Sequence, residues 1–137
     1  MGMDLYPRNK DADEFHWGAF GWSWMLAEGV GLPVGHFPGL APGEFIYNGR
    51  PDGKSLGYND GARVSAKEAK EMAKMARWIA AKQRAMTQSF EARSAEEQAA
   101  MREDRFKLYT LPVRQYWVEQ LDKFADWAEK SGGFGVH

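Results

Sequence analysis

The distribution of glycine and proline divides this sequence into two parts that cannot share one kind of secondary structure. Twelve of the 15 glycines and five of the six prolines lie in residues 1–61, whereas residues 62–131 contain no glycine. A glycine inside a helix costs about 1 kcal/mol relative to alanine, and a proline costs about 3 kcal/mol. We therefore expect turns, loops and short elements in residues 1–61, and mainly helices from residue 62 onward.

Three helices are predicted in the second part. Ser65 and Glu68 have the spacing of a capping box, so the first helix begins at Ser65. Ser94 repeats this pattern and begins a second helix, predicted to end near Tyr109. Pro112 suits the first turn of a third helix, which the glycine pair at 132–133 ends.

Apolar residues recur at helical spacing in the first and third of these helices. We expect the two apolar faces to pack against each other as an antiparallel pair. The first face contains Met72, Met75, Ala76, Ile79, Met86 and Phe90, and the second contains Val113, Trp117, Leu121, Phe124 and Ala128.

The fold class predicted from these patterns is α+β with a helical majority. Short strands are predicted at residues 3–6, 44–47 and 134–137, and a helix at residues 17–28. We expect the first and last strands to pair, because neither is long enough to be stable alone. A chain of 137 residues buries one core, so residues 1–137 form a single domain in which the glycine- and tryptophan-rich part (1–61) packs on the helical part (62–137).

Composition excludes several classes of function. The absence of cysteine excludes disulfides, thiolate catalysis and cysteine-ligated metal sites. The formal net charge of -1 argues against a sequence-specific nucleic-acid-binding module. The three histidines lack the helical spacing of a metal site, so we expect neither a metal nor a cofactor. No apolar run approaches the ~18 residues of a membrane span.

The candidate binding loop is residues 57–61, which lead toward the first capped helix. Tyr58, Asn59 and Asp60 form one wall of the hypothetical site, where free backbone N–H groups favour an anion. Trp22 or Trp24 forms the other wall, as a surface for a nucleobase. The alternative, which the residue types favour, is that the loop is an ordinary turn and that most of the tryptophans are core.

The hypothetical site also needs a cation. Arg50 or Arg63 is predicted to neutralise a phosphate group of the ligand.

A basic ridge follows the first long helix, on the side opposite its apolar face. The ridge consists of Lys67, Lys70, Lys74, Arg77 and Arg84. Trp78 lies beside it. We regard Lys70, Lys74, Arg77 and Trp78 as a candidate partner interface, with a second copy of the chain among the candidate partners. The alternative is a solvated helix face.

Three stretches resemble a family of small proteins encoded by tailed phages and their prophages. They are Met-Gly-Met-Asp-Leu-Tyr at residues 1–6 with the aromatic cluster at 15–24, Gly-Tyr-Asn-Asp-Gly at 57–61, and Phe-Ala-Asp-Trp-Ala at 124–128 leading into Gly-Gly-Phe at 132–134. Many relatives carry a zinc-ribbon-like insert of paired Cys-x-x-Cys motifs between the last two helices. Residues 90–111 stand there in this chain and contain no cysteine, so no metal site is implied. The resemblance implies a phage context and no catalytic role.

Taken together, these observations predict a non-enzymatic phage accessory protein of the host-cell cytoplasm, acting in host takeover or counter-defence. Its predicted activity is to bind and sequester a small phosphorylated, nucleotide-type signal. One alternative is a protein–protein inhibitor of a host defence protein that uses the aromatic and basic surfaces. A second is a small hydrolase using His16 or Asp60, although the sequence shows no nucleophile–base–orienter set.

Overall fold

Eight helices and strands are assigned in the computed structural model, which describes residues 2–28, 52–54, 56, 60–104 and 111–137. The elements are β1 (Gly2–Pro7), β2 (Phe15–Gly18), α1 (Ala19–Glu28), β3 (Ala62–Ser65), α2 (Ala66–Glu91), α3 (Ala95–Glu103), α4 (Gln115–Ser131) and β4 (Gly133–Val136). The predicted α+β class with a helical majority is confirmed. No helix in these ranges is both long and apolar enough to cross a membrane.

The four strands form one antiparallel sheet in the order β2-β1-β4-β3. The last strand therefore lies between the first strand and β3, with Leu5 opposite Val136 and Val64 opposite Phe134. This confirms that the two ends of the chain pair. The sequence analysis missed β2 and β3, and it wrongly placed Trp17 in a helix. The predicted strand at 44–47 lies outside the described residues.

The helix boundaries follow local capping. Ser65 accepts a hydrogen bond from the Glu68 N–H at 3.1 Å, and the Glu68 carboxylate accepts one from the Ser65 N–H at 3.2 Å, so the predicted capping box is confirmed. Helix α3 ends at Glu103, earlier than expected. Helix α4 begins at Gln115, three residues after Pro112, because Arg114 is in an extended conformation as its N-cap residue. The Val113 N–H donates to the Gln83 side chain at 2.9 Å.

Helices α2 and α4 pack as the predicted antiparallel pair. Arg77 of α2 contacts Asp126 and Glu129, whereas Arg84, two turns later, contacts Asp122, which precedes them in α4. The predicted faces are largely confirmed, since their central residues are buried: Met72, Met75, Ala76, Ile79, Leu121, Phe124 and Ala128. Val113 precedes α4.

An aromatic cluster joins the helices to the inner face of the sheet. The Phe124 ring is 5.9 Å from Trp22, 5.8 Å from Trp17 and 6.2 Å from Phe134. Phe134 reaches this cluster because Gly132 ends α4 in the left-handed conformation, with φ at 70°.

We expect Gly133→Ala to destabilise the protein far more than Gly53→Ala. Both glycines have positive φ, 96° and 85°, so both substitutions carry backbone strain of about 1–3 kcal/mol. A Cβ at Gly133 would also lie 2.7 Å from the Val64 carbonyl oxygen, whereas a Cβ at Gly53 would meet nothing within 4 Å. Overpacking should add about 1–3 kcal/mol at Gly133. Urea unfolding measures both; equal losses would contradict the β3–β4 packing.

Candidate functional site

Alternate residues of each strand point to opposite faces of the sheet. Residues next to a buried strand residue therefore lie on the outer face. Leu5 and Val64 are buried against the helices. Their neighbours Tyr6 and Arg63 point outward and are exposed. The sheet thus has one face in the core and one face open to solvent.

A shallow pocket of about 200 Å³ lies on this outer face. Tyr6 and Arg63 both stand opposite Gly135, one on each neighbouring strand. Because Gly135 has no side chain, the row has a gap between the phenol ring and the guanidinium group, and the His137 ring reaches over part of it: Nε2 would be 3.0 Å from a Cβ at Gly135. His137 borders the gap, with its ring 5.0 Å from the Tyr6 ring in an edge-to-face contact. Arg8 and Phe134 complete the lining.

The pocket has an excess of positive charge. Within the described ranges, neither Arg8 nor Arg63 makes an ion pair. The Arg8 backbone is fixed by its N–H, which donates to the Gly133 carbonyl at 2.9 Å. A Cβ at Gly61 would lie 3.3 Å from the His137 ring and 3.4 Å from the Lys54 ammonium nitrogen, which places Lys54 at the rim. The pocket therefore suits an anionic group.

The predicted site residues are only partly brought together. Arg63 lines the pocket. Asp60 is exposed and immediately precedes Gly61, whose N–H donates to the Val136 carbonyl at 2.7 Å. Arg50, Tyr58 and Asn59 lie outside the described residues, and their roles stay predictions.

The two tryptophans of the hypothetical wall lie elsewhere. Trp22 is fully buried, and its indole N–H donates to the Leu56 carbonyl at 2.7 Å. A side chain held in the core in this way cannot face a ligand, so placing Trp22 in the wall was wrong. Trp24 packs edge-to-face on Trp117 at 5.3 Å and is not part of the pocket lining.

Tyr6, Arg8, Gly135 and His137 were missed as site residues. The alternation of β1 carries the signal for Tyr6, since Met3 and Leu5 are apolar and Tyr6 follows with the opposite orientation. The pocket itself needs β4 between β1 and β3. Because β3 was not predicted, the sequence could not show that Arg63 of β3 and Tyr6 of β1 both stand opposite Gly135.

Three of the five basic side chains of the α2 ridge form ion pairs within the molecule. Arg77 and Arg84 form ion pairs with carboxylates of α4, and Lys74 pairs with Glu71 at 3.2 Å. The partner interface predicted with Arg77 therefore needs correction, because that guanidinium already bridges two helices. Lys67 and Lys70 make no ion pair in the part of the chain that the structure describes.

His16 forms an exposed pair with Asp4, with 2.8 Å between Nδ1 and the carboxylate. The His16 ring lies over Gly2, where a Cβ would be 2.3 Å from the ring carbon Cε1. Along β1, Gly2 lies on one side of the paired residues Asp4 and His16, and Tyr6, which lines the pocket, lies on the other side. The imidazole thus points away from the pocket. Among the described residues, no group of three or more acidic or histidine side chains could hold a metal ion.

We expect the stabilising effect of Glu129 to disappear in acid. The Arg77 guanidinium donates a hydrogen bond to Glu129 and holds the pKa of that carboxyl below its ordinary value of 4.5. A depressed pKa gives stability that is present above the ordinary value and is lost as the pH falls through the folded-state pKa. Wild type should therefore unfold at higher urea than Glu129→Gln at pH 7, and this difference should vanish at strongly acidic pH.

Glu119→Gln is the matched control, since Glu119 is also exposed on α4 but makes no ion pair in the described ranges. A Glu129→Gln difference that persists unchanged in acid would contradict the ion pair.

Comparison with known proteins gives this chain no family. No family model matches it, and no curated protein or solved structure was found to match it either. The interpretation of the pocket therefore depends on its own chemistry.

Proposed function

We propose that this protein binds a small phosphorylated, nucleotide-type ligand on the outer face of its sheet and holds it without altering it. The observation that carries the proposal is the row Tyr6–Gly135–Arg63, which combines an aromatic ring, a position without a side chain and a cation without an ion-pair partner in the described residues. A ligand with a ring and a phosphate matches this row.

Arg8 and Arg63 are the proposed phosphate ligands. Guanidinium groups donate two parallel hydrogen bonds to phosphate oxygens, and such charge-assisted bonds are about twice as strong as neutral ones. Lys54 at the rim adds a further positive charge. No acidic side chain is among the residues that line the pocket in the part of the chain described, although Asp4 lies directly opposite His137 on the neighbouring strand.

Tyr6 and His137 are the proposed contacts of the ring. An aromatic side chain that stacks on a base contributes about 1–3 kcal/mol. Gly135 has no side chain, but the His137 ring reaches over it, with Nε2 3.0 Å from the position of a Cβ, so a ligand ring would contact His137 there and not the bare backbone. The volume of about 200 Å³ is below the ~300–1,000 Å³ of pockets that enclose a whole ligand, so the rest of the molecule extends toward Asp60. Tyr58 and Asn59 remain candidates for covering that part.

Sequestration, not turnover, is the proposed outcome. The pocket lining described here contains one titratable imidazole, His137, but no serine, threonine or carboxylate to complete a catalytic set. In the phage context implied by the resemblance, such a protein would remove a host defence signal from the cytoplasm.

We expect Arg63→Gln and Tyr6→Ala each to weaken binding by about 10- to 100-fold, because each removes about 1.5–3 kcal/mol of ligand contact. Calorimetric titration with nucleoside monophosphates, diphosphates and cyclic nucleotides measures this. Gly135→Val should abolish binding by filling the gap.

Arg114→Gln and Tyr116→Ala are matched controls, since both residues are exposed and neither lines the pocket. Mass spectrometry of the recovered ligand should show it unchanged. In a phage-challenge assay, a Lys70/Lys74 charge reversal could abolish protection of the phage while the pocket variants still protect it. That result would replace this proposal with the alternative of a protein–protein inhibitor.

A further inference from the structure

The outward-facing side chains at β1 place an acid, an aromatic ring and a base in line. Asp4 alternates with the buried Met3 and Leu5, so it lies on the outer face of the sheet. Tyr6 follows with the same orientation and is 42% exposed. Arg8, directly after β1, lines the pocket together with Tyr6. Because alternate strand residues are about 7 Å apart, Asp4 and Arg8 are about 14 Å apart, one on each side of Tyr6.

His16 holds the Asp4 carboxylate through one of its oxygens. Nδ1 of His16 lies 2.8 Å from Oδ1 of Asp4. The other oxygen, Oδ2, makes no hydrogen bond to the residues that the structure describes, and the Asp4 side chain is 49% exposed. The His16 ring lies over Gly2, which is on the opposite side of Asp4 from Tyr6. His16 therefore orients the carboxylate without covering its Tyr6 side.

Backbone pairing fixes the position of Asp4 beside the pocket. Asp4 and His137 exchange two backbone hydrogen bonds of 2.8 Å each, so Asp4 stands opposite a residue that lines the pocket. The His137 ring is directed toward β3, with Cε1 3.3 Å from the Cβ position of Gly61. An acceptor oxygen of Asp4 is thus held on a strand, one residue row from the gap at Gly135.

We propose that Asp4 selects nucleotides whose base carries an exocyclic amino group, as adenine and cytosine do. This inference rests on the proposed function, because it needs a nucleotide-type ligand on this face. Along such a nucleotide the amino group, the ring and the phosphate follow one another, and Asp4, Tyr6 and Arg8 follow in the same order. The pocket of about 200 Å³ holds only part of a ligand, so the far edge of the base extends beyond the lining toward Asp4.

The selection follows from the hydrogen-bonding chemistry of a carboxylate. An ionised carboxylate only accepts hydrogen bonds, whereas an amino group supplies two donors. Such a bond is charge-assisted and is about twice as strong as a neutral one. A base without the amino group has no donor at this place and leaves the carboxylate to water. Asp4 also repels the phosphate, which favours the orientation with the phosphate at Arg8.

Asp60 is a second carboxylate toward which the ligand extends. It directly precedes Gly61, whose Cβ position is close to the His137 ring. Asp60 comes just before β3, however, whereas Asp4 is on β1, and β4 lies between these two strands. Tyr6, the proposed ring contact, is also on β1, so Asp4 is the carboxylate beside the base. Removing the two carboxylates one at a time distinguishes their roles.

Calorimetric titration of the full chain with matched nucleotide pairs tests the proposal. The pairs compare adenosine and cytidine 5′-monophosphate with their deamino analogues, in which a hydrogen atom replaces the exocyclic amino group. Wild type should bind the amino member of each pair about 10-fold more tightly, because only that member donates a hydrogen bond to the carboxylate. Asp4→Ala should lower this ratio to about 2-fold or less, since no acceptor then remains for the amino group.

Asp13→Ala is the matched control, since it removes the same charge from an exposed residue that does not line the pocket, and it should leave the ratio unchanged. Circular dichroism shows that each variant is folded. Equal binding of both members of each pair by wild type would overturn this inference but not the proposed function. So would a preference that Asp60→Ala removes and Asp4→Ala retains. If wild type bound none of the four nucleotides, the proposed function would fail together with this inference.

Discussion

The insertion of β4 between β1 and β3 is the interaction on which the rest of the structure depends. Backbone pairing joins β4 to both neighbours, and directly after β4 a reciprocal pair of 2.8 Å hydrogen bonds joins His137 to Asp4 of β1. The strand is reached through two glycines with positive φ that reverse the chain after α4. Without β4, strands β1 and β3 would have no common partner, and Tyr6 and Arg63 would belong to separate edges.

The same strand connects the core to the outer surface. Phe134 and Val136 point inward and complete the aromatic and aliphatic packing under α2 and α4. Gly135 points outward between them and leaves the gap that forms the pocket. Stability and the candidate function therefore depend on alternate residues of one four-residue strand. A substitution at Gly135 can alter the pocket while Phe134 keeps the core intact.

The sequence predicted the elements that depend on local interactions. The capping box at Ser65, the apolar stripes of α2 and α4 and the glycine stop after Ser131 are encoded within a few residues. The short strands β2 and β3 were missed because a four-residue strand is stabilised by its partners, not by its own propensity. For the same reason Arg63, which lines the pocket, was among the predicted site residues, while Tyr6, Gly135 and His137, which lie near it across the sheet, were not.

We propose that the outer face around Gly135 is where this molecule binds its ligand. The most direct test is a titration of ¹⁵N-labelled protein with phenyl phosphate, which carries one ring and one phosphate, followed by amide chemical shifts. If the ligand binds there, the amides of Tyr6, Arg63 and Gly135, on three adjacent strands, should shift together along one saturating curve. Shifts confined to the α2 residues around Lys70 and Trp78, or no shifts at all, would contradict it.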